Sequence, residues 1–201
     1  MRKLIVMRHA KSAWDNPEWG DHERPLRPRG HRAARAVAAS LLADGARPMH
    51  ALVSDARRTF ETWRSMMEVF NTPISVTFTP RLYLAEPEGI AAVTRTAPDD
   101  ATTLLVLGHN PGIEQWASHL AGETLSFRTA AWALFDVATD DWNVPLHRFN
   151  VRLHAFGRGR ESSGGESSGG ESSGEAVSPG HDAGPDTGKT DAGGHGGGDA
   201  G

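Results

Sequence analysis

Three places in this chain combine residue types that could do chemistry together. Arg8-His9 follows the apolar residues 4–7 directly. Ser54 and then Arg57-Arg58 follow residues 51–53. Gly108-His109 follows residues 103–107. An imidazole can serve as nucleophile or proton carrier near neutral pH, and a guanidinium binds oxyanions through a planar fork of donors. Two imidazoles with at least two guanidiniums, and no acid paired within the same motifs, suit a dianion, of which phosphate is the obvious one. One histidine after a strand would be ordinary; the same kind of group at three strand ends is not. No Gly-rich loop with a following Lys-Ser/Thr is present, which argues against a nucleoside-triphosphate hydrolase.

These groups meet only if the apolar runs are neighbouring parallel strands. Residues 4–7, 51–53 and 103–107 are short continuous aliphatic runs of the kind buried on both faces of a parallel sheet. Between them lie amphipathic stretches. Gly30 precedes a helix over 31–44 with Ala34, Val37, Leu41 and Leu42 on one face. Residues 57–70 place Phe60, Trp63, Met67 and Phe70 at helical spacing. A helix opens at Pro87-Glu88 and runs to about 95, and another carries Ile113, Trp116, Ala117 and Leu120. Residues 74–79, 130–137 and 149–156 read as further strands. The alternation predicts an α/β fold: a three-layer sandwich with a mostly parallel central sheet and helices on both faces. The carboxyl edge of such a sheet is where open α/β folds place their ligands.

The composition changes sharply near residue 157. From there on Val177 is the sole sizeable aliphatic, and 16 of the 23 glycines fall in that stretch. Glu-Ser-Ser-Gly-Gly stands at 161–165 and again at 166–170, as in a flexible linker. Such a segment cannot offset its ordering entropy by burial, so 157–201 is expected to be a disordered Gly/Ser/Glu-rich tail behind one domain of residues 1–156. The tail holds three basic and eight acidic residues, which leaves the body at +1 within a chain of −4. A near-neutral body does not point to nucleic acid. No apolar run approaches a membrane span, so a cytoplasmic protein is expected, with the monomer favoured. There is no cysteine, and His181 and His195 lack the spacing of a metal site. The six tryptophans are dispersed, and most are expected in the core. His31, Arg32 and Arg35 form a basic helix face, either solvated or able to dock an acidic partner.

The three motifs also resemble those of a known family. Val6-Met7-Arg8-His9-Ala10-Lys11-Ser12 is similar to the Arg-His-Gly segment that opens histidine phosphatases. Residues 54–62, Ser-Asp-Ala-Arg-Arg-Thr-Phe-Glu-Thr, resemble the family's Ser-Pro-x-x-Arg-x-x-Gln-Thr, and Gly108-His109-Asn110-Pro111 resembles its second histidine turn. Arg8-His9-Ala10-Lys11-Ser12, Asp21-x-x-Arg24-Pro25-Leu26 and Leu82-Tyr83-Leu84-Ala85 look like the phosphohistidine phosphatase SixA group of this phosphoglycerate mutase-like superfamily. The resemblance covers 1–156 and none of the tail.

The resemblance implies His9 as the nucleophile that accepts the phosphoryl group, with Arg8, Arg58 and His109 forming the phosphate pocket. Arg58 stands four residues after Ser54 and is preferred over its register alternative, Arg57. Ser12 and Asn110 are further substrate-binding candidates. A protonated His109 and the two arginines would neutralise the phosphoryl oxygens, and their field should lower the pKa of His9. No metal or cofactor is expected, because cationic side chains do that work. Glu88 and Glu86 are candidate proton donors, although Glu88 can equally be a first-turn residue stabilised by its helix dipole. Asp55 stands where proline is usual and could cap the helix or pair with an arginine. The expected substrate is phosphohistidine in a protein. The alternatives are a small phosphate ester, in which Glu86 or Glu88 would matter, and a non-catalytic phosphoprotein-binding module.

Overall fold

In each buried strand, odd and even side chains face opposite ways, and here both sets are apolar. The computed structural model describes residues 1–159, and its central sheet separates two cores. Strand β1 (Arg2–Arg8) sends Leu4 and Val6 to one side and Ile5 and Met7 to the other. The other strands are β2 (His50–Ser54), β3 (Ser75–Thr79), β4 (Thr103–Gly108), β5 (Ala131–Val137) and β6 (Val151–Arg158). Their order across the sheet is β3-β2-β4-β1-β5-β6. The first four are mutually parallel, while β5 pairs antiparallel with β1 and β6 antiparallel with β5 at one side.

Four helices cover the two faces. Helices α1 (Pro28–Ala43) and α2 (Arg57–Phe70) pack Ala34, Val37, Leu41, Trp63, Met66 and Phe70 against Ile5, Met7, Val53 and Leu105. On the opposite face, α3 (Pro87–Thr94) and α4 (Gly112–Ala121) pack Ile90, Val93, Ile113, Trp116 and Leu120 against Leu4, Val6, Leu104 and Val106. The three-layer α/β sandwich expected from the alternation of patterns is therefore the observed fold.

Two of the boundaries that differ from expectation bear on packing. Helix α1 starts at Pro28, so Gly30 lies within its first turn rather than before it. A Cβ on Gly30 would stand 2.4 Å from the Lys11 carbonyl oxygen, so glycine is needed for close approach and not as a helix punctuation mark. Strand β6 runs two residues past the expected end at 156. Gly157 lies flat on Trp132, where a Cβ would meet the indole at 2.7 Å, and Gly159 N–H donates to Ala130 O. The remainder of the tail, from 160 on, lies outside the described residues. Trp63, Trp116, Trp132 and Trp142 are buried, but Trp14 is exposed and Trp19 half-buried. Among the described residues no helix is long and apolar enough to cross a membrane.

Candidate active site

The parallel register aligns Arg8 of β1 with Gly108 of β4, and β2 flanks β4 on its other side. The ends of all three strands therefore open on one edge. A pocket of about 270 Å³ there is lined by Arg8, His9, Arg58 and His109 together with Ser12 and Asn110. All six sequence-predicted residues of the three motifs thus reach one place. His9, Arg58 and His109 are almost wholly buried, and the two imidazole rings lie 5.2 Å apart.

His9 has one committed nitrogen. Its Nδ1–H donates to Ala10 O at 2.7 Å, which leaves Nε2 as the unprotonated nitrogen. Burial, followed by the charges of Arg58, Arg8 and Arg24, pushes the imidazole down to about 3, against the Ala10 hydrogen bond, which works the other way. The expected direction of shift holds, with burial as its larger cause.

Arg58 and Arg57 are distinguished by the helix they start. Arg57 points outward and its Nε pairs with Glu61 one turn along at 2.8 Å. Arg58 turns inward. Its guanidinium donates to Asp21 O, to Asp21 Oδ2 at 2.9 Å and to His109 Nδ1 at 3.1 Å. The Nε atoms of both Arg8 and Arg58 are buried without a hydrogen-bond partner, and an anion in the pocket would supply one.

His109 departs from the protonated state expected of it. Its Nδ1 accepts from Arg58, and its Nε2–H donates to Ser54 Oγ at 2.8 Å. With one nitrogen accepting, the ring is neutral. Burial, His9 and Arg58 together push it down to about 2. Ser12 Oγ accepts from Arg24, and the Asn110 amide donates to Phe127 O and Glu114 Oε2. Asn110 therefore presents an acceptor, Oδ1, rather than a donor for phosphate.

The remaining candidates are placed elsewhere. Glu86 is the residue before the first turn of α3 and Glu88 lies in that turn; both are exposed and neither lines the pocket. Asp55 neither caps α2 nor pairs with Arg58. It bonds His22 Nε2 at 3.0 Å instead. The basic face is tied across to α2, with His31 Nδ1 at 2.8 Å from Ser65 Oγ and Arg35 paired with Glu68.

Asp21, Arg24 and Tyr83 are the residues that reading for site chemistry missed, although all three stand in motifs quoted above for the resemblance. Asp21, on the short 3-10 turn Asp21–Glu23, takes Arg58, Arg24 and the Tyr83 hydroxyl. Its partial burial alone would raise its pKa, but the Tyr83 hydrogen bond and the two arginines outweigh that and hold it at about 2. Arg24 is a third guanidinium in the pocket and lies over the Trp14 ring at 3.2 Å. The signal available was the Asp-x-x-Arg spacing itself.

The family described as histidine phosphatase superfamily (branch 1) matches residues 4–83. An uncharacterized chloroplastic protein of Arabidopsis thaliana is 35% identical over 150 residues, which is 70% of this chain and 69% of that protein. The candidate phosphohistidine phosphatase SixA of Nakamurella multipartitia superposes with a TM-score of 0.64 at 26% identity, over 78% of this chain and 95% of its own. Its counterpart from Agrobacterium tumefaciens gives 0.66 at 25% identity, over 77% and 96%.

Proposed function

The chain belongs to the histidine phosphatase superfamily, and from that premise we propose that it removes the phosphoryl group of phosphohistidine in a protein substrate, through a phosphoenzyme formed on His9. The observation that carries this reading is the hydrogen bond from His9 Nδ1–H to Ala10 O. It fixes the tautomer, and burial among three arginines keeps Nε2 unprotonated at neutral pH. Nε2 attacks phosphorus in line, and the bond from phosphorus to the leaving nitrogen breaks. A water then attacks the phosphohistidine, releasing phosphate and restoring His9. Arg8, Arg58 and Arg24 neutralise the phosphoryl oxygens in the transition state. His109, neutral and bonded to Arg58, acts as a positioning residue for that guanidinium.

The choice of substrate rests on acids. Among the described residues Asp21 is the one carboxylate lining the pocket, and at a pKa of about 2, bonded to Arg58 and Tyr83, it has no proton to give. Glu86 and Glu88 stand outside. An ester needs a proton at its departing oxygen. A phosphoramidate leaves through a nitrogen basic enough to take one from water. Asp55, which could have disabled the pocket by capturing Arg58, is engaged by His22.

The test is hydrolysis of a phosphohistidine peptide and of phosphoramidate by wild type and His9→Ala. Wild type should turn over both and His9→Ala neither, with a His9-linked phosphate visible by mass spectrometry at alkaline pH. Equal rates would defeat the proposal. Sugar phosphates turned over faster than phosphoramidate would move the reading to a metabolite esterase.

A further inference from the structure

Beside the catalytic pocket lies a second, larger depression of about 620 Å³, with Trp19, His22, Glu23, Asp55, Phe60 and Phe78 on its walls. Phe60 comes from α2 and Phe78 from β3. Their rings lie 5.4 Å apart and are 45% and 39% exposed. Grouped aromatics left open to water mark a binding surface rather than a core. Arg57, on the same wall, pairs with Glu61 of its own helix, and Asp55 pairs with His22, so among the described lining residues the charge left to face the depression is the Glu23 carboxylate. Strand β3 pairs only with β2 among the described strands, so its outer edge offers main-chain groups to an extended chain.

The depression adjoins the pocket. The turn Asp21–Glu23 divides them, with Asp21 on the pocket side and His22 and Glu23 on the other. The His22 ring packs 4.9 Å from Tyr83, and Tyr83 packs 5.3 Å from His109. Two ring contacts separate the sites, a span of about three residues of extended chain at ~3.3 Å each.

We propose that this groove holds the polypeptide that flanks the phosphorylated histidine of the substrate. An aromatic or large aliphatic side chain, roughly three residues from the phosphohistidine, seats on Trp19, Phe60 and Phe78. A neighbouring basic side chain meets Glu23. The inference rests on the phosphohistidine reading of the adjoining pocket, because a small ester held there would leave the groove uncovered.

Its test separates docking from catalysis. A fluorescein-labelled, unphosphorylated peptide centred on one histidine and flanked by Phe and Lys is titrated with the full chain by anisotropy, beside a counterpart carrying Ala and Glu. Wild type should bind the first about tenfold more tightly. Phe60→Ala with Phe78→Ser should abolish the preference, and Glu23→Lys, an exposed single change, should shift it toward the Glu-bearing peptide. Equal binding of both peptides by wild type overturns the proposal, as does a preference that survives these variants, or a dimer in sedimentation that covers the groove. Hydrolysis of the phosphorylated peptides is then read separately. Flank-dependent binding without hydrolysis leaves the docking surface standing and removes the phosphohistidine reading. Hydrolysis indifferent to the flank does the reverse.

Discussion

At the scale of single residues the pocket is organised by which nitrogen of each ring is spent. His9 gives up Nδ1 to a backbone carbonyl, and His109 uses both nitrogens on Arg58 and Ser54. If His109 works through Arg58, the two should be coupled. Arg58→Ala and His109→Ala should each lower kcat/KM roughly a hundredfold, and the double variant should be little worse than the worse single. Additive losses would show that His109 acts independently. Arg57→Ala, by contrast, removes an exposed pair with Glu61 and should change kcat/KM less than threefold. The two imidazoles also set a pH response. Both are held well below the usual histidine range, to about 3 and about 2, so the unfolded chain takes up protons below pH ~6.5 that the folded chain refuses. Their contribution to stability is complete above that pH. It falls as pH drops toward 3, by up to about 1.4 kcal/mol per pH unit for each ring. Chemical denaturation at pH 7, 5.5 and 4.5 should show this slope, and His109→Gln should make it shallower.

At the scale of elements the site depends on how closely neighbouring segments approach. The chain between β1 and α1 is pinned to α2, because Ala10 N–H donates to Thr62 Oγ1 and Leu26 N–H to Glu61 Oε2. That loop carries Ser12, Asp21 and Arg24 to the pocket. On the other side, α4 begins against Ala85, and a Cβ on Gly112 would stand 1.9 Å from the Ala85 carbonyl oxygen. No rotamer relieves a clash with backbone. Gly112→Ala should therefore cost about 1–3 kcal/mol and lower Tm by several degrees. An unchanged Tm would mean that α3 and α4 can separate without loss.

At the scale of the whole molecule the question is how much chain the fold needs. The last described strand carries Gly157 flat on Trp132, and Gly159 N–H closes on Ala130 O, whose own residue donates its N–H to His9 O. Truncation after Gly159 should leave Tm and phosphoramidate hydrolysis as in the full chain. Truncation after Phe156 should lower both, because it strips this edge of β5 next to His9. Thermal melts of the two shortened chains check the difference.

The sequence alone determined the sheet, the helices and the convergence of Arg8, His9, Arg58 and His109. Each of those residues directly adjoins an apolar run or an amphipathic period, and parallel pairing carries strand ends to one edge wherever the exact boundaries fall. Arg58 was preferred over Arg57 by its register, four residues after Ser54, and the structure turns Arg58 inward and Arg57 outward. What lay beyond that reading has no period to announce it. Asp21 meets Arg58 and Tyr83 across 37 and 62 residues, His22 takes Asp55 across 33, and Phe60 meets Phe78 from a different element. Hydrogen bonds act over about 3 Å, so tautomers, the idle carboxylate and the neutral state of His109 depend on partners that only the folded chain brings within reach.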